Sequence, residues 1–405
     1  MPDAVKRPIG IGLVLACLAG TLVLGIAVKL PCVGSDWNDG RQYKRWCYTD
    51  IIPLLGTEQL SGGRLPYLDA CVDAAGECDE YPVVSMYVMR LAAWISQDAE
   101  GFFRANAFLL AISAVAITIC LYLLAGARAL YFALAPTLLV YGFINWDLIA
   151  VALVTGAFLA YTRRANVWAG VLLGLGAAAK IYPALLVVPL VLDRFHRREP
   201  DQGIHLAWGA AGSWLAVNVP FLLAAPQSWW EFFRYNATRP ADWDSLWYVS
   251  CHRLTGSLYC EPTRAINIAS GIAFVATAIF VYAWKRRLDP GFERWTFAFP
   301  LVVTFLLTNK VYSPQYSLWL LPLFALALAD VRLFALFEIA DVAVFLTRFS
   351  WFGRYSGIGG WPIGAFEVAV IVRAAILITC VVVWVRRERQ ERLAVERPVA
   401  AAATA

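Results

Sequence analysis

Residues 9–28 read IGIGLVLACLAGTLVLGIAV, a run without a single charge. A stretch of about 20 apolar residues is what crosses the hydrocarbon core of a bilayer as a helix. Lys6 and Arg7 precede it, as in a signal peptide, but no small-x-small cleavage site stands out after it, so it reads as a retained first crossing. Similar runs recur at 105–125, 266–284 and 374–385. The chain of 405 residues is 60% hydrophobic, 14% aromatic and only 16% charged, against roughly 25% charged in a soluble domain. That excludes a disordered chain, a coiled coil and an ordinary cytosolic enzyme. The net charge of +5 is too small to point to nucleic acid. The sequence is that of an all-α, polytopic membrane protein.

Basic residues beside short loops mark the cytoplasmic side of a membrane. Lys6-Arg7, Arg128, Arg163-Arg164, Arg194 with Arg197-Arg198, Lys285-Arg286-Arg287, Arg332 and Arg386-Arg387 with Arg389 all stand at the ends of apolar runs. Placing each inside predicts outer turns at 143–147, near Lys180, across 226–264, at 309–315 and at 349–361. The alternation closes with about 12 crossings and both termini in the cytoplasm, provided the second crossing is 104–126. Several crossings, such as 181–192, are short and must tilt or sit in thinned bilayer. Residues 82–96 are apolar yet carry Arg90, and a crossing there breaks the parity; a helix on the outer surface is expected instead. A single domain, 1–385, with outer loops at 32–103 and 226–264, would then end in a disordered cytoplasmic tail, 386–405.

Nine cysteines give an independent check. Cys17, Cys120 and Cys380 lie inside apolar runs, where cysteine acts as a small hydrophobe. Cys32, Cys47, Cys71, Cys78, Cys251 and Cys260 all fall in segments threaded outside. That distribution points to an oxidising compartment and to disulfides. Sequence proximity favours Cys32–Cys47, Cys71–Cys78 and Cys251–Cys260.

Polar residues gather at the outer helix ends, whereas a transporter places them at mid-membrane. Carboxylates there can take a proton from a hydroxyl, and lysines can neutralise a departing phosphate. Most loop charges, including Asp36, Asp73 and Glu77, are read as simply solvated. Asp50 differs: it stands between Trp46-Cys47-Tyr48-Thr49 and Ile51-Ile52-Pro53-Leu54-Leu55, so it should be partly desolvated. Lys180 lies between Ala177-Ala178-Ala179 and Ile181-Tyr182-Pro183, where a charge needs an anionic partner or a route to the headgroups. Residues 308–316, TNKVYSPQY, break an apolar run, and such broken helix ends line cavities. The turns thus offer Asn145, Asp147, Asn309, Lys310, Tyr312 and Gln315, and the second outer loop offers His252. Glu338 and Asp341, three apart on one helix face, are expected to pair with Arg373. Trp229-Trp230, Trp243 and Trp247 fit an interfacial belt first and sugar stacking second. There is no glycine-rich nucleotide loop and no metal-ligand spacing, and His196 and His205 fall on the cytoplasmic side.

The order of YTDIIPLLGTEQLSGGRLPY (48–67), Tyr81-Pro82, VWAGVLLGLGAAAKIYPALLVVPLVL (167–192) and NKVYSPQYSLWLLPLF (309–324) carries a resemblance over residues 10–330. It resembles the actinobacterial integral-membrane glycosyltransferases that use polyprenyl-phosphate sugars and have the C-type glycosyltransferase fold, among them the alpha-mannosyltransferases of phosphatidylinositol mannoside synthesis. The resemblance implies that Asp50 is the general base and that Lys180 lies near the donor phosphate. Tyr312 and Gln315 stand where relatives often show histidine, and Asn145-Trp146-Asp147 where they often show Gly-Gln.

The function expected is inverting transfer of one sugar, mannose by the resemblance, from a polyprenyl-phosphate donor to a glycolipid or envelope-glycan hydroxyl at the outer face of the plasma membrane. Asp50 would be the catalytic base, and Lys180, Lys310, Asn309, Tyr312, Gln315, Asp147 and His252 would form the donor-phosphate and substrate site. No cofactor, metal or nucleic acid is called for; the partners are the two substrates and membrane lipid. A lipid-linked sugar flippase and a non-catalytic envelope-assembly scaffold are the competing expectations.

Overall fold

A computed structural model describes residues 9–34, 39–71 and 78–387 of the chain. Lys6, Arg7, Asp36, Asp73, Glu77, Arg389 and all but the first two residues of the expected tail lie outside the described residues. Among the described residues every regular element is a helix.

The first long helix, α1 (Ile11–Lys29), is followed by three short elements, α2 (Arg41–Lys44), α3 (Ile51–Thr57) and the 13-residue α4 (Val83–Ile95). At 1.5 Å per residue α4 spans about 20 Å, well short of the ~30 Å of a bilayer core. Its Arg90 donates to the carbonyl of Gly63 in the same loop region. The 27-residue α5 (Ala99–Ala125) leads to the opposite end of the bundle, and Asp98 caps it through the Gly101 amide.

From there the chain returns and breaks repeatedly: α6 (Leu130–Ala133), α7 (Pro136–Tyr141), α8 (Asp147–Thr162), α9 (Asn166–Ala179), α10 (Tyr182–His196) and α11 (Pro200–Ala224). Glycine fixes how closely α9 and α11 approach. A Cβ on Gly170 would meet the Leu206 carbonyl at 2.0 Å, and one on Gly174 the Ala210 carbonyl at 2.2 Å. Lipid gives helices no hydrophobic reason to associate, so small residues that let two backbones touch become the contact.

The remaining elements are α12 (Pro226–Thr238), α13 (Leu246–Thr255), α14 (Thr263–Leu288), α15 (Ala298–Thr308), α16 (Leu320–Ala327), α17 (Val331–Tyr355) and α18 (Ile363–Arg386). Helix α18 runs through Arg386, a residue the sequence reading gave to the tail. Five helical stretches among the described residues are long and apolar enough to cross a membrane: Ile11–Cys32, Ala99–Ala133, Pro200–Ala224, Thr263–Leu288 and Ile363–Arg386. Shorter apolar helices, such as α8, α9 and the stretch Arg294–Thr308, fill the places between them; helix length does not test the expected count.

The buried charges sort much as expected, with one correction. Arg373 pairs with Asp341 at 3.0 Å, but Glu338 is not its partner. Glu338 instead accepts the Thr137 amide at 2.7 Å, at the start of α7, where a free helix N–H needs an acceptor.

The cysteines join as Cys32–Cys47, Cys71–Cys78 and Cys251–Cys260, with Cα separations of 5.7, 6.0 and 5.9 Å. Cys32–Cys47 closes a loop of 15 residues, a constraint worth about 3 kcal/mol. Cys47 lies three residues before Asp50. The Cys32→Ser/Cys47→Ser protein should melt at a clearly lower temperature than wild type in a thermal scan without reductant. An unchanged melting temperature would mean that the bond does not constrain this segment.

Candidate active site

Several chain breaks meet at one end of the bundle. Helix α7 stops before Gly142 and α8 starts at Asp147; α9 stops at Ala179 and α10 opens with Tyr182-Pro183; α15 stops at Thr308 and Pro314 opens the next turn. Proline at the first helical positions is tolerated because those amides need no partner within the helix. The residues left between the stops and starts face one another across a cavity of about 660 Å³.

Asp50 enters this cavity at the start of α3. An aspartate there usually caps the helix with its carboxylate, but Asp50 makes no such bond. Thr49 serves in its place, its hydroxyl accepting the Ile51 amide at 3.2 Å and donating to the Phe143 carbonyl at 2.8 Å. The Asp50 amide donates to the Ile144 carbonyl at 2.9 Å. Beneath, the buried Lys29 donates to the carbonyls of Tyr48 (2.8 Å) and Val140 (3.1 Å). The backbone is thereby fixed while the half-buried carboxylate stays directed to the cavity.

Asn145 links this acid to the nearest lysine. Its amide nitrogen donates to Asp50 Oδ2 at 2.9 Å and to the Tyr81 hydroxyl at 2.8 Å. Its oxygen accepts from Lys180 Nζ at 3.3 Å and from the Trp146 amide at 2.7 Å. Lys180 also faces Asp147 at 3.6 Å, and the Trp319 indole holds Asp147 at 2.7 Å. The Lys180 ammonium lies over the rings of Tyr81 and Tyr316, 5.0 and 5.4 Å from their centres. Between apolar helices, Lys180 has therefore found the anionic partner that its position demanded.

A second group of cations stands across the cavity. Lys310 donates to the carbonyls of Arg239 (2.6 Å) and Ala237 (3.4 Å), and burial, helped by the nearby Arg239 charge, pulls its pKa down to about 8. Arg239 lies 4.0 Å from Asp242 and its guanidinium is over the Tyr235 ring. Arg348 pairs with both Asp242 and Asp244. All three line the cavity, as do Asn309 and Gln315.

Beside the cavity lies an apolar groove of about 590 Å³ between α9, α10, α11 and α12. Pro82, Ile181 and Phe232 belong to the walls of both. Small side chains, Gly174, Ala177, Ala178, Ala207 and Ala210, leave the room, and Trp214 and Trp229 close one side.

Of the residues singled out in the sequence, Asp50, Asn145, Lys180, Lys310, Asn309 and Gln315 line the cavity. Asp147 lies behind it as the partner of Lys180. Tyr312 is buried, its hydroxyl sharing a hydrogen bond with Ser317 and its ring under Arg373. His252 is tied to Glu367 at 2.5 Å on the surface of α13, outside the lining. Arg239 and Arg348 were missed. Arg348 obeys the rule that singled out Lys180, a charge amid apolar residues, whereas Arg239 looks like any loop arginine.

One buried acid beside the cavity has a measurable consequence. Glu58 accepts the amides of Asp79 (2.6 Å) and Glu80 (3.3 Å), ordering the segment that presents Glu80 and Tyr81. Burial outweighs those bonds and pushes its pKa up to about 8. The unfolded segment releases this proton near the ordinary glutamate value and the folded one holds it to about pH 8, so stability should fall as pH rises from about 5 to about 8. Melting curves across that range should show the decline in wild type and a flatter profile in Glu58→Gln. Parallel profiles would remove Glu58 as its source.

The family model described as glycosyltransferase family 87 matches residues 80–314, more than half of the chain. No curated protein matches the sequence. Among solved structures, ArnT from Cupriavidus metallidurans bound to undecaprenyl phosphate is similar over 93% of this chain and 77% of its own, with 14% identity and a TM-score of 0.46. The oligosaccharyltransferase of Archaeoglobus fulgidus in the apo form is similar over 94% of this chain and 56% of its own, with 13% identity and a TM-score of 0.42.

Proposed function

Because this chain belongs to glycosyltransferase family 87, we propose that it moves one sugar from a polyprenyl-phosphate donor to a hydroxyl of a glycolipid or envelope glycan. The observation that carries this reading is the adjacency of two spaces that share Pro82, Ile181 and Phe232 as wall residues: a polar cavity lined by Asp50 and several cations, and an apolar groove beside it. The groove takes the isoprenoid tail. The phosphate then lies in the cavity near Lys180, Arg239 and Lys310, and the anomeric carbon faces Asp50.

In the proposed step Asp50 removes the acceptor proton as the hydroxyl oxygen attacks the anomeric carbon. The new C–O bond forms as the bond to the phosphate oxygen breaks, with inversion, and the electron pair leaves on polyprenyl phosphate. That group is already stable as an anion, so the cationic side chains are enough to neutralise it without a metal ion. Mannose is the sugar that the sequence resemblance implies.

The reaction belongs to the outer face. The three disulfides lie in the loops at the cavity end, and disulfides persist in oxidising compartments. Basic residues collect at the other end, where Arg387 meets Asp330 and Lys285 reaches the Arg387 carbonyl, as the cytoplasmic side requires.

The test uses the purified protein in liposomes with radiolabelled polyprenyl-phosphate mannose and an envelope glycolipid extract. Label should pass to the acceptor with release of polyprenyl phosphate. Labelled donor that crosses the bilayer intact would make the protein a flippase, and donor left untouched on both faces would make it a scaffold; either result overturns the proposal.

A further inference from the structure

The Asp50 carboxylate and the Lys180 ammonium stand at opposite ends of one side-chain amide. Among the described residues Asp50 forms no ion pair; its side-chain partners are the neutral amide of Asn145 and the Tyr48 hydroxyl. The ion pair that Lys180 does form is with Asp147, at 3.6 Å. Lys29, beneath the acid, is likewise turned to two backbone carbonyls.

The orientation of Asn145 follows from its surroundings. At its oxygen stand two donors, Lys180 Nζ at 3.3 Å and the Trp146 amide at 2.7 Å. At its nitrogen stand Asp50 Oδ2 at 2.9 Å and the Tyr81 oxygen at 2.8 Å, both able to accept. Turning the amide over would set N–H against N–H and oxygen against carboxylate. The turn that carries Asn145 is also pinned to the segment that carries the acid. Thr49 donates to the Phe143 carbonyl, and the Asp50 amide to that of Ile144. On the other side the Trp146 indole donates to Asn106 of α5 at 2.7 Å.

This neutral spacer prevents a collapse. Opposite charges in a partly buried site attract strongly, and lysine has a long, flexible stem. A direct pair would occupy acceptor positions of the carboxylate and favour its charged form, which makes a poorer base. On the transfer reading it would also draw the ammonium away from the departing phosphate. The group between them must donate toward the acid and accept from the lysine while carrying no charge. A short amide does this; an alanine or an aspartate does not. We infer that Asn145 is a positioning residue that holds Asp50 and Lys180 apart, leaving the acid with neutral partners and the lysine with Asp147. The role of Asp50 as base rests on the glycosyl-transfer reading; the separation of the two charges does not.

A structure of full-length Asn145→Ala in nanodiscs, determined without donor, should show Lys180 Nζ within about 4 Å of an Asp50 oxygen. Asn145→Ser, which keeps a small polar side chain at the turn, takes its place if the alanine protein does not fold, with the same outcome expected. With polyprenyl-phosphate mannose, Asn145→Ala should lose roughly 10- to 100-fold in kcat, the scale of one hydrogen bond to a charged group, with KM little changed. Asn145→Ala/Lys180→Met should stay within about threefold of Lys180→Met alone, since no lysine remains to occupy the acid; a merely structural role would make the two losses multiply. The inference is overturned if Lys180 keeps its place in the variant structure, or if the losses multiply. Donor left unconsumed by the wild-type protein would sink the transfer reading instead, and the variant structure alone would then decide whether Asn145 separates the charges.

Discussion

The Asp50→Asn protein should insert and fold normally and lose roughly 10²–10⁴-fold in turnover, the usual cost of removing a general base. Folding is spared because the position is fixed by other groups. The Asp50 amide bonds to Ile144, Thr49 caps α3, and Lys29 holds the Tyr48 carbonyl. An asparagine oxygen can still accept from Asn145, which donates to Asp50 Oδ2 at 2.9 Å. What the amide cannot do is take a proton from an attacking hydroxyl. Initial rates with labelled polyprenyl-phosphate mannose, compared at equal amounts of protein of matching melting temperature, decide the matter. Turnover within a few-fold of wild type would remove Asp50 from the chemistry.

Lys180→Met should act in two separable ways. It leaves Asp147, fully buried, without its cation at 3.6 Å. Deleting one partner of a buried pair costs on the order of 3 kcal/mol, partly offset here by the Trp319 indole that still donates to Asp147. On the proposed mechanism it also removes one positive group from beside the departing phosphate, worth roughly 10²–10³-fold in rate. Lys180→Met/Asp147→Asn should therefore recover most of the melting temperature and little of the activity. Recovery of both together would make Lys180 a purely structural residue, and recovery of neither would mean that Asp147 contributes nothing as its partner.

Much of the site was legible in the sequence because its residues break local rules. An acid flanked by apolar residues at 46–55, a lysine after three alanines and a polar insert at 308–316 each cost free energy where they stand, and each lines the cavity. The same logic failed for Tyr312, whose neighbours predict a cavity position while its hydroxyl turns inward to Ser317. It failed also for His252, which pairs with Glu367 on α18. Whether a polar side chain at a break faces inward or outward depends on what packs against it from distant parts of the chain.

Sequence alone determined the helical, membrane-protein character of the chain and the disulfide partners, and it singled out the acid at 50. These follow from local quantities: a hydrocarbon environment demands that each segment satisfy its own backbone, so apolar length and flanking charge identify it. Only the tertiary structure decided that Asn145 bridges Asp50 to Lys180, that Arg239 and Arg348 join the cavity, and that an apolar groove meets it at Ile181 and Phe232. Those depend on which helix ends converge. That in turn is set by contacts such as Gly170 and Gly174 against Leu206 and Ala210, between residues whose separation along the chain carries no record of their meeting.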